Sequence, residues 1–194
     1  VQDILDIAES NKGFVTTADV TAAGIQRREL ARAVSEGLIL RIGRGIYCLP
    51  ETWEDEYVIA QHRFSRGVFS HETALYLLDL SDRMPERLTM TFPQGYNTSG
   101  VSAEDLIPRT VAGELLDLGK TRLKTPYGNE VIAYDVERSL CDLFRGCAFP
   151  DVQILNPAMK SYLFRKGRNI PKLLEYARML GVEKRVRMHV EVLL

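Results

Sequence analysis

Arg27, Arg28 and Arg32 stand within two helical turns of one another, and Arg44 is set between Gly43 and Gly45. A guanidinium is a planar, permanently charged fork of donors that meets phosphate oxygens, or the O6 and N7 edge of guanine, through paired hydrogen bonds. At about 100° per residue, a helix over residues 26–36 carries Leu30 and Val34 on one face and Arg28, Arg32 and Ser35 on the opposite one. A helix that is dry on one side and cationic on the other can lie in the major groove of double-stranded DNA. Gln26, Arg27 and Arg41 extend the same polar surface, and Arg44 at a glycine-flanked tip can reach an adjacent backbone or minor groove.

A second basic set follows residue 150, with Lys160, Arg165, Lys166, Arg168, Lys172, Arg178, Lys184, Arg185 and Arg187 against Asp151, Glu175, Glu183 and Glu191. If Lys160, Lys166, Arg168 and Arg185 share a face, they add a phosphate-binding surface; otherwise they are a solvated one. Tyr162 and Phe164 beside them read as core residues rather than platforms for bases.

Other chemistry has less to work with. His62, His71 and His189 have no His or Cys partner at helical spacing, and the chain has neither a phosphate-cradling Walker loop nor a GxSxG elbow. Asp135, Glu137 and Asp142 are conceivable metal carboxylates, but Asp135 is explained as a helix cap and Glu137 as first-turn charge. We therefore expect no enzyme, no metal and no cofactor. Cys48, Cys141 and Cys147 leave an odd thiol under any pairing, which fits a reducing cytosol, and no apolar run reaches membrane-spanning length.

The elements that must position the arginines can be read from hydrophobic spacing. Val1, Ile4, Leu5 and Ala8 predict a first helix ending at residues 11–13; Thr16 or Thr17 caps a short second helix through Ala23; residues 26–36 form the third, closed by Gly37. Residues 38–42 and 46–49 then read as strands around the Gly43-Arg44-Gly45 reversal. Helix, helix, helix and hairpin is the order of a winged helix-turn-helix. Beyond the acidic connection at residues 50–56, Trp53, Tyr57, Ala60 and Phe64 share a stripe and predict a second core, so the boundary is placed between a domain of residues 1–52 and one of residues 53–194.

In that second part Ser70 is positioned to cap a helix bearing Ala74, Leu75 and Leu78, and Leu88, Met90 and Phe92 alternate as a strand. Residues 94–112 look irregular. Residues 120–125 and 130–134 flank a Pro-Tyr-Gly-Asn turn, after which Asp135 caps a helix with Val136, Leu140, Leu143 and Phe144 inward. Three helices separated by Gly167 and Gly181 complete the chain, giving an α+β class overall. Charge follows the same division: the 194 residues sum to −1, but 26–50 and 151–194 are basic while 51–150 is acidic.

Four segments together resemble the AbiEi family, the antitoxins and transcriptional regulators of type IV (AbiE) toxin–antitoxin operons: LILRIGRGIY at 38–47, FSHETAL at 69–75, YDVERSLCDL at 134–143 and LLEYA at 173–177. The resemblance implies a winged helix that binds inverted repeats at its own promoter, with 26–36 as recognition helix and 43–45 as wing. It also implies a C-terminal domain that relieves the toxicity of a nucleotidyltransferase-like partner without a stable complex being assumed. The competing readings are a stand-alone winged-helix transcription factor whose second domain senses a ligand, and an enzyme fused to a DNA-binding module.

Overall fold

The computed structural model describes residues 1–146 and 151–193, and the chain divides into two compact units. The first comprises Val1–Ser65 together with Tyr127–Asn129; the second comprises Arg66–Pro126 and Glu130–Leu194.

In the first unit, α1 (Gln2–Ser10) turns Ile4 and Ala8 inward, as their spacing requires. A short strand, β1 (Phe14–Thr16), follows and leads into α2 (Thr17–Ala22). Thr16 and Asp19 form a reciprocal capping box: the Thr16 hydroxyl oxygen accepts from Asp19 N–H and the Asp19 carboxylate from Thr16 N–H at 2.8 Å. Next come α3 (Arg28–Ser35), β2 (Leu40–Gly43) and β3 (Ile46–Cys48), so the helix is shorter at both ends than the predicted 26–36. The strands pair antiparallel in the order β1-β3-β2, with Phe14 opposite Cys48 and Arg41 opposite Tyr47. β1 escapes sequence reading because three residues are too few to show alternation. The core of the helices is Ile4, Ala8, Val15, Val20, Leu30, Ala33 and Ile39.

The expected boundary after residue 52 falls inside this unit. Trp53 is 80% exposed and starts no core. α4 (Glu56–Arg63), whose N-terminus is capped by Asp55 accepting from Tyr57 and Val58 N–H, places Val58 and Ile59 against Phe14, Ile46 and Cys48. Asp55 is wholly buried and its second oxygen accepts from the Asn129 side-chain amide at 2.9 Å, which is how the short segment Tyr127–Asn129 comes to belong here.

The second unit is a mixed sheet with helices. Its elements are β4 (Val68–Phe69), α5 (His71–Leu77), β5 (Thr89–Pro93), α6 (Ser99–Ala103), β6 (Ile107–Val111), a 3-10 turn at Gly113–Leu115, β7 (Lys120–Lys124) and β8 (Glu130–Tyr134). α7 (Val136–Asp142), α8 (Val152–Phe164), α9 (Ile170–Met179) and α10 (Glu183–Leu193) complete it. Strand order is β6-β5-β4-β8-β7, with β4·β8 and β5·β6 parallel and the others antiparallel. Residues 94–112 are thus not irregular: they hold α6 and an edge strand, disguised by Pro108, which an edge tolerates because one side of the strand needs no partner.

The main apolar core of this unit gathers Leu75, Leu140, Phe144, Leu155, Met159, Tyr162, Leu173, Ala177 and Val186 from α5 and α7–α10. Phe164 is not part of it, being 75% exposed at the end of α8. Asp135 caps α7 as expected, accepting from Arg138 N–H at 2.9 Å. Glu137 is not mere first-turn charge: it is buried, accepts from the Tyr162 hydroxyl and lies 3.1 Å from the Lys172 ammonium. Ser70 stands at the N-cap position of α5 without capping, because its hydroxyl is engaged by Thr91 and His71. Cys48 and Cys141 are buried free thiols, while Cys147 lies outside the described residues.

Candidate nucleic-acid interface

α3 is oriented by what it buries. Leu30 and Ala33, three residues apart, face the core, so the dry side is Leu30 with Ala33 rather than Leu30 with Val34, which is 36% exposed. The outward surface then consists of two adjacent ridges at i, i+4 spacing: Arg28, Arg32 and Glu36 along one, Arg27, Ala31 and Ser35 along the other. All six are exposed. The second ridge ends in two small side chains, which let a helix backbone come close to a groove floor; an alanine methyl also suits the thymine methyl.

The partners of these groups differ. Arg32 Nε donates to Glu36 Oε1 at 2.7 Å, and that hydrogen bond holds its pKa above the ordinary value. Arg28 is 3.8 Å from Glu29, with most of its side chain in solvent. Ser35 donates to the Arg32 carbonyl oxygen at 2.8 Å. Among the described residues the side chains of Gln26, Arg27 and Arg44 have neither a hydrogen bond nor an ion pair, and all three are exposed. Arg41 Nε donates to the Gly43 carbonyl oxygen at 3.2 Å, which lays its guanidinium along the β2 end of the hairpin.

The hairpin tip is braced from α2. Gly45 has φ +77°, a left-handed value that glycine adopts without strain, and an added β-carbon would lie 3.2 Å from the Thr17 hydroxyl oxygen. Its carbonyl accepts from Thr17 N–H at 2.9 Å. Thr17 is therefore a positioning residue for Arg44 that sequence reading saw only as a possible helix cap. Its role depends on a pairing across 28 positions, which no local pattern reveals.

The C-terminal basic residues separate into two kinds. Lys160, Lys166 and Arg168 are exposed, on α8 and in the loop after it. Arg185 is half-buried, donates to the Phe144 carbonyl oxygen and places its guanidinium 5.8 Å from the Phe144 ring centre. That arginine is committed to packing inside the second unit and is withdrawn from the set expected to meet phosphate. Among the described residues no group of three or more His, Cys, Asp or Glu is arranged to hold a metal ion, and no helix is long and apolar enough to cross a membrane.

Comparison with known proteins bears on the same residues. No curated protein matches the sequence. Among solved structures, the RV2827C protein from Mycobacterium tuberculosis has a similar fold, with a TM-score of 0.56 at 15% identity over 97% of this chain and 79% of that one. A family model described as "Transcriptional regulator, AbiEi antitoxin" matches residues 2–50. The stretch it matches runs from α1 to the end of the β2–β3 hairpin and contains every arginine of the exposed α3 and wing surface. Over residues 2–50 the chain is similar to the AbiEi-type antitoxins and transcriptional regulators that this family model describes.

Proposed function

We propose that the protein is the antitoxin of a type IV toxin–antitoxin system, cytoplasmic and without catalytic activity of its own, that represses its operon by binding inverted repeats in the promoter. The observation that carries this reading is the coincidence of the AbiEi match with a surface of exposed cations on α3 and the wing, among which Arg27 and Arg44 have neither a hydrogen bond nor an ion pair. In the bound state α3 lies in the major groove, with Gln26, Arg27, Arg28, Arg32 and Ser35 toward base edges and phosphates, while Arg41 and Arg44 hold the flanking backbone or minor groove. Lys160, Lys166 and Arg168 supply further phosphate contacts.

The second function, relief of the toxicity of a nucleotidyltransferase-like protein, is assigned to residues outside the DNA-binding unit. Full-length protein with Arg27, Arg28 and Arg44 replaced by alanine tests both halves. Binding to promoter DNA should weaken at least about a hundredfold, each lost contact contributing roughly 1 to 3 kcal/mol. Growth rescue against the co-expressed neighbouring toxin should persist. Unchanged promoter affinity overturns the interface, and loss of rescue with the fold intact overturns the division of labour.

A further inference from the structure

The wholly buried carboxylate of Asp55 works in two directions. Its Oδ1 accepts from the first N–H groups of α4, those of Tyr57 at 3.0 Å and Val58 at 3.3 Å, while Oδ2 accepts from Asn129 Nδ2 at 2.9 Å. The turn that carries Asn129 is itself anchored, since Lys12 Nζ donates to the Gly128 carbonyl oxygen. A buried carboxylate that loses a donor moves toward another one or toward water, because charge left uncompensated in a dry interior is costly. The Asn129 amide therefore bears on where the first turn of α4 sits.

The opposite end of α4 borders the wing. Val58 and Ile59 pack against Phe14 of β1 and against Ile46 and Cys48 of β3. A β-carbon added at Gly43 would lie 3.8 Å from Ile59 Cγ2, and one added at Gly45 3.8 Å from His62 Nε2, so the two glycines that flank Arg44 both lie beside one face of this helix. At about 1.5 Å per residue the eight residues of α4 form a single short rod, and a shift at its capped end reaches the wing. The tip is thus held from two sides, by the Thr17 N–H on the Gly45 carbonyl oxygen and by α4.

We propose that Asn129 is a positioning residue for Arg44: through Asp55 and α4, the β7–β8 turn sets the place of the wing and with it the wing's share of promoter affinity. The affinity part rests on the DNA-binding reading above; the placement of the wing does not. Neither α4 nor the turn lies within residues 2–50, the stretch that the AbiEi model matches, so this brace is supplied by the remainder of the chain. Because Lys124 pairs with Glu130 at the base of the turn, the β7–β8 ladder fixes the geometry from which Asn129 reaches Asp55.

A double-mutant cycle in the full chain tests it. Asn129→Ala should weaken promoter binding about fivefold, and in that background Arg44→Ala should cost less than about threefold, where in the wild type it costs about tenfold or more. Arg28→Ala, which acts from α3, should cost the same in both backgrounds within about twofold. A residue that only stabilised the fold would lower the urea midpoint and leave the Arg44 factor unchanged. Hydrogen exchange of the free protein reads the same coupling without DNA: in Asn129→Ala the Thr17 amide, which donates to Gly45, should exchange about tenfold faster while the amides of α3 keep their rates. Lys12→Asn suits the left-handed backbone at that position, φ +56°, and removes only the anchor of the turn. It should show the same selective loss at about twofold, which keeps the proposal open to refutation should Asn129→Ala not fold. Equal losses at Arg44 and Arg28, or wild-type exchange of Thr17 in both variants, overturn the proposal. Absence of promoter binding by the wild type would overturn the DNA-binding reading alone, with Thr17 exchange still deciding this one.

Discussion

The chain uses an arginine followed four residues later by a carboxylate in both units, and the two pairs behave as opposites. On α3, Arg32 and Glu36 meet at 2.7 Å with side chains 64% and 41% exposed. On α7, Arg138 and Asp142 meet at 3.1 Å with neither exposed. In water the first pair gains little, because solvent screens the attraction and two long side chains lose freedom in holding it. On the function proposed above, its carboxylate is exchanged for a phosphate. The second pair cannot separate without leaving a charge in a dry interior, and its arginine is further fixed by the carbonyl oxygens of Leu115 and Leu118 and by the Tyr134 ring 4.1 Å from its guanidinium carbon. Burial, not spacing, decides whether the motif is a fixed anchor or a pair open to solvent.

The largest effect expected from breaking this contrast is at the buried pair. Asp142→Ala strands Arg138 and removes the partner of Arg145, and should lower unfolding free energy by about 3 to 5 kcal/mol. Urea titration followed by circular dichroism reads it, and a loss below about 1 kcal/mol would mean that the carbonyl contacts alone hold the guanidinium.

Acid should separate the two units next. Burial pushes the His71 imidazole down to a folded-state pKa of about 4 against an ordinary value of 6.5. The unfolded chain therefore binds the proton more readily, and stability is lost as pH falls from about 6.5 toward 4, by on the order of 3 kcal/mol. Hydrogen exchange at pH 7 and pH 4.5 should show the loss in residues 66–194 before the α3 region, and His71→Asn should flatten it. Equal loss in both units would remove His71 as the cause.

At the exposed pair, Arg32→Ala should weaken promoter binding about tenfold, whereas Glu36→Ala should strengthen it about threefold by freeing the guanidinium and deleting a like charge to phosphate. Neither should move the urea midpoint measurably. A clear destabilisation by Glu36→Ala would show that the pair is structural after all.

What could be read in advance depended on how local its cause is. Leu30 announces the buried side of α3, Thr16 and Asp19 announce a helix start, and the Pro-Tyr-Gly-Asn turn announces its hairpin, because each signal lies within four residues. Val34 was misassigned to the dry face because a helical wheel gives angles, not the shape of the partner surface; Ala33 fits the narrow approach instead. Arg185 looked like surface charge because nothing in its neighbourhood points to a carbonyl 41 positions earlier. The same holds for Glu137, whose burial depends on Tyr162 and Lys172 from α8 and α9. The exposed arginines of α3 were legible; the hold of Asn129 on Asp55 was not, since it joins residues far apart in sequence.

The hydrogen bond from Asn129 to Asp55 sets a schedule for synthesis. When α3 and the wing leave the ribosome, the Asn129 amide that donates to the second oxygen of Asp55 has not yet been made, and 74 positions of chain separate the two. Closing so long a loop late adds little entropic cost over a shorter one, but it fixes the order of events. The first unit reaches its final hydrogen bonding only after translation has passed Asn129 and the β7–β8 turn has closed. A nascent chain arrested before that point carries all the exposed arginines of α3 and the hairpin tip on a unit still missing one of its parts, so on the function proposed above full promoter occupancy is tied to completion of most of the polypeptide.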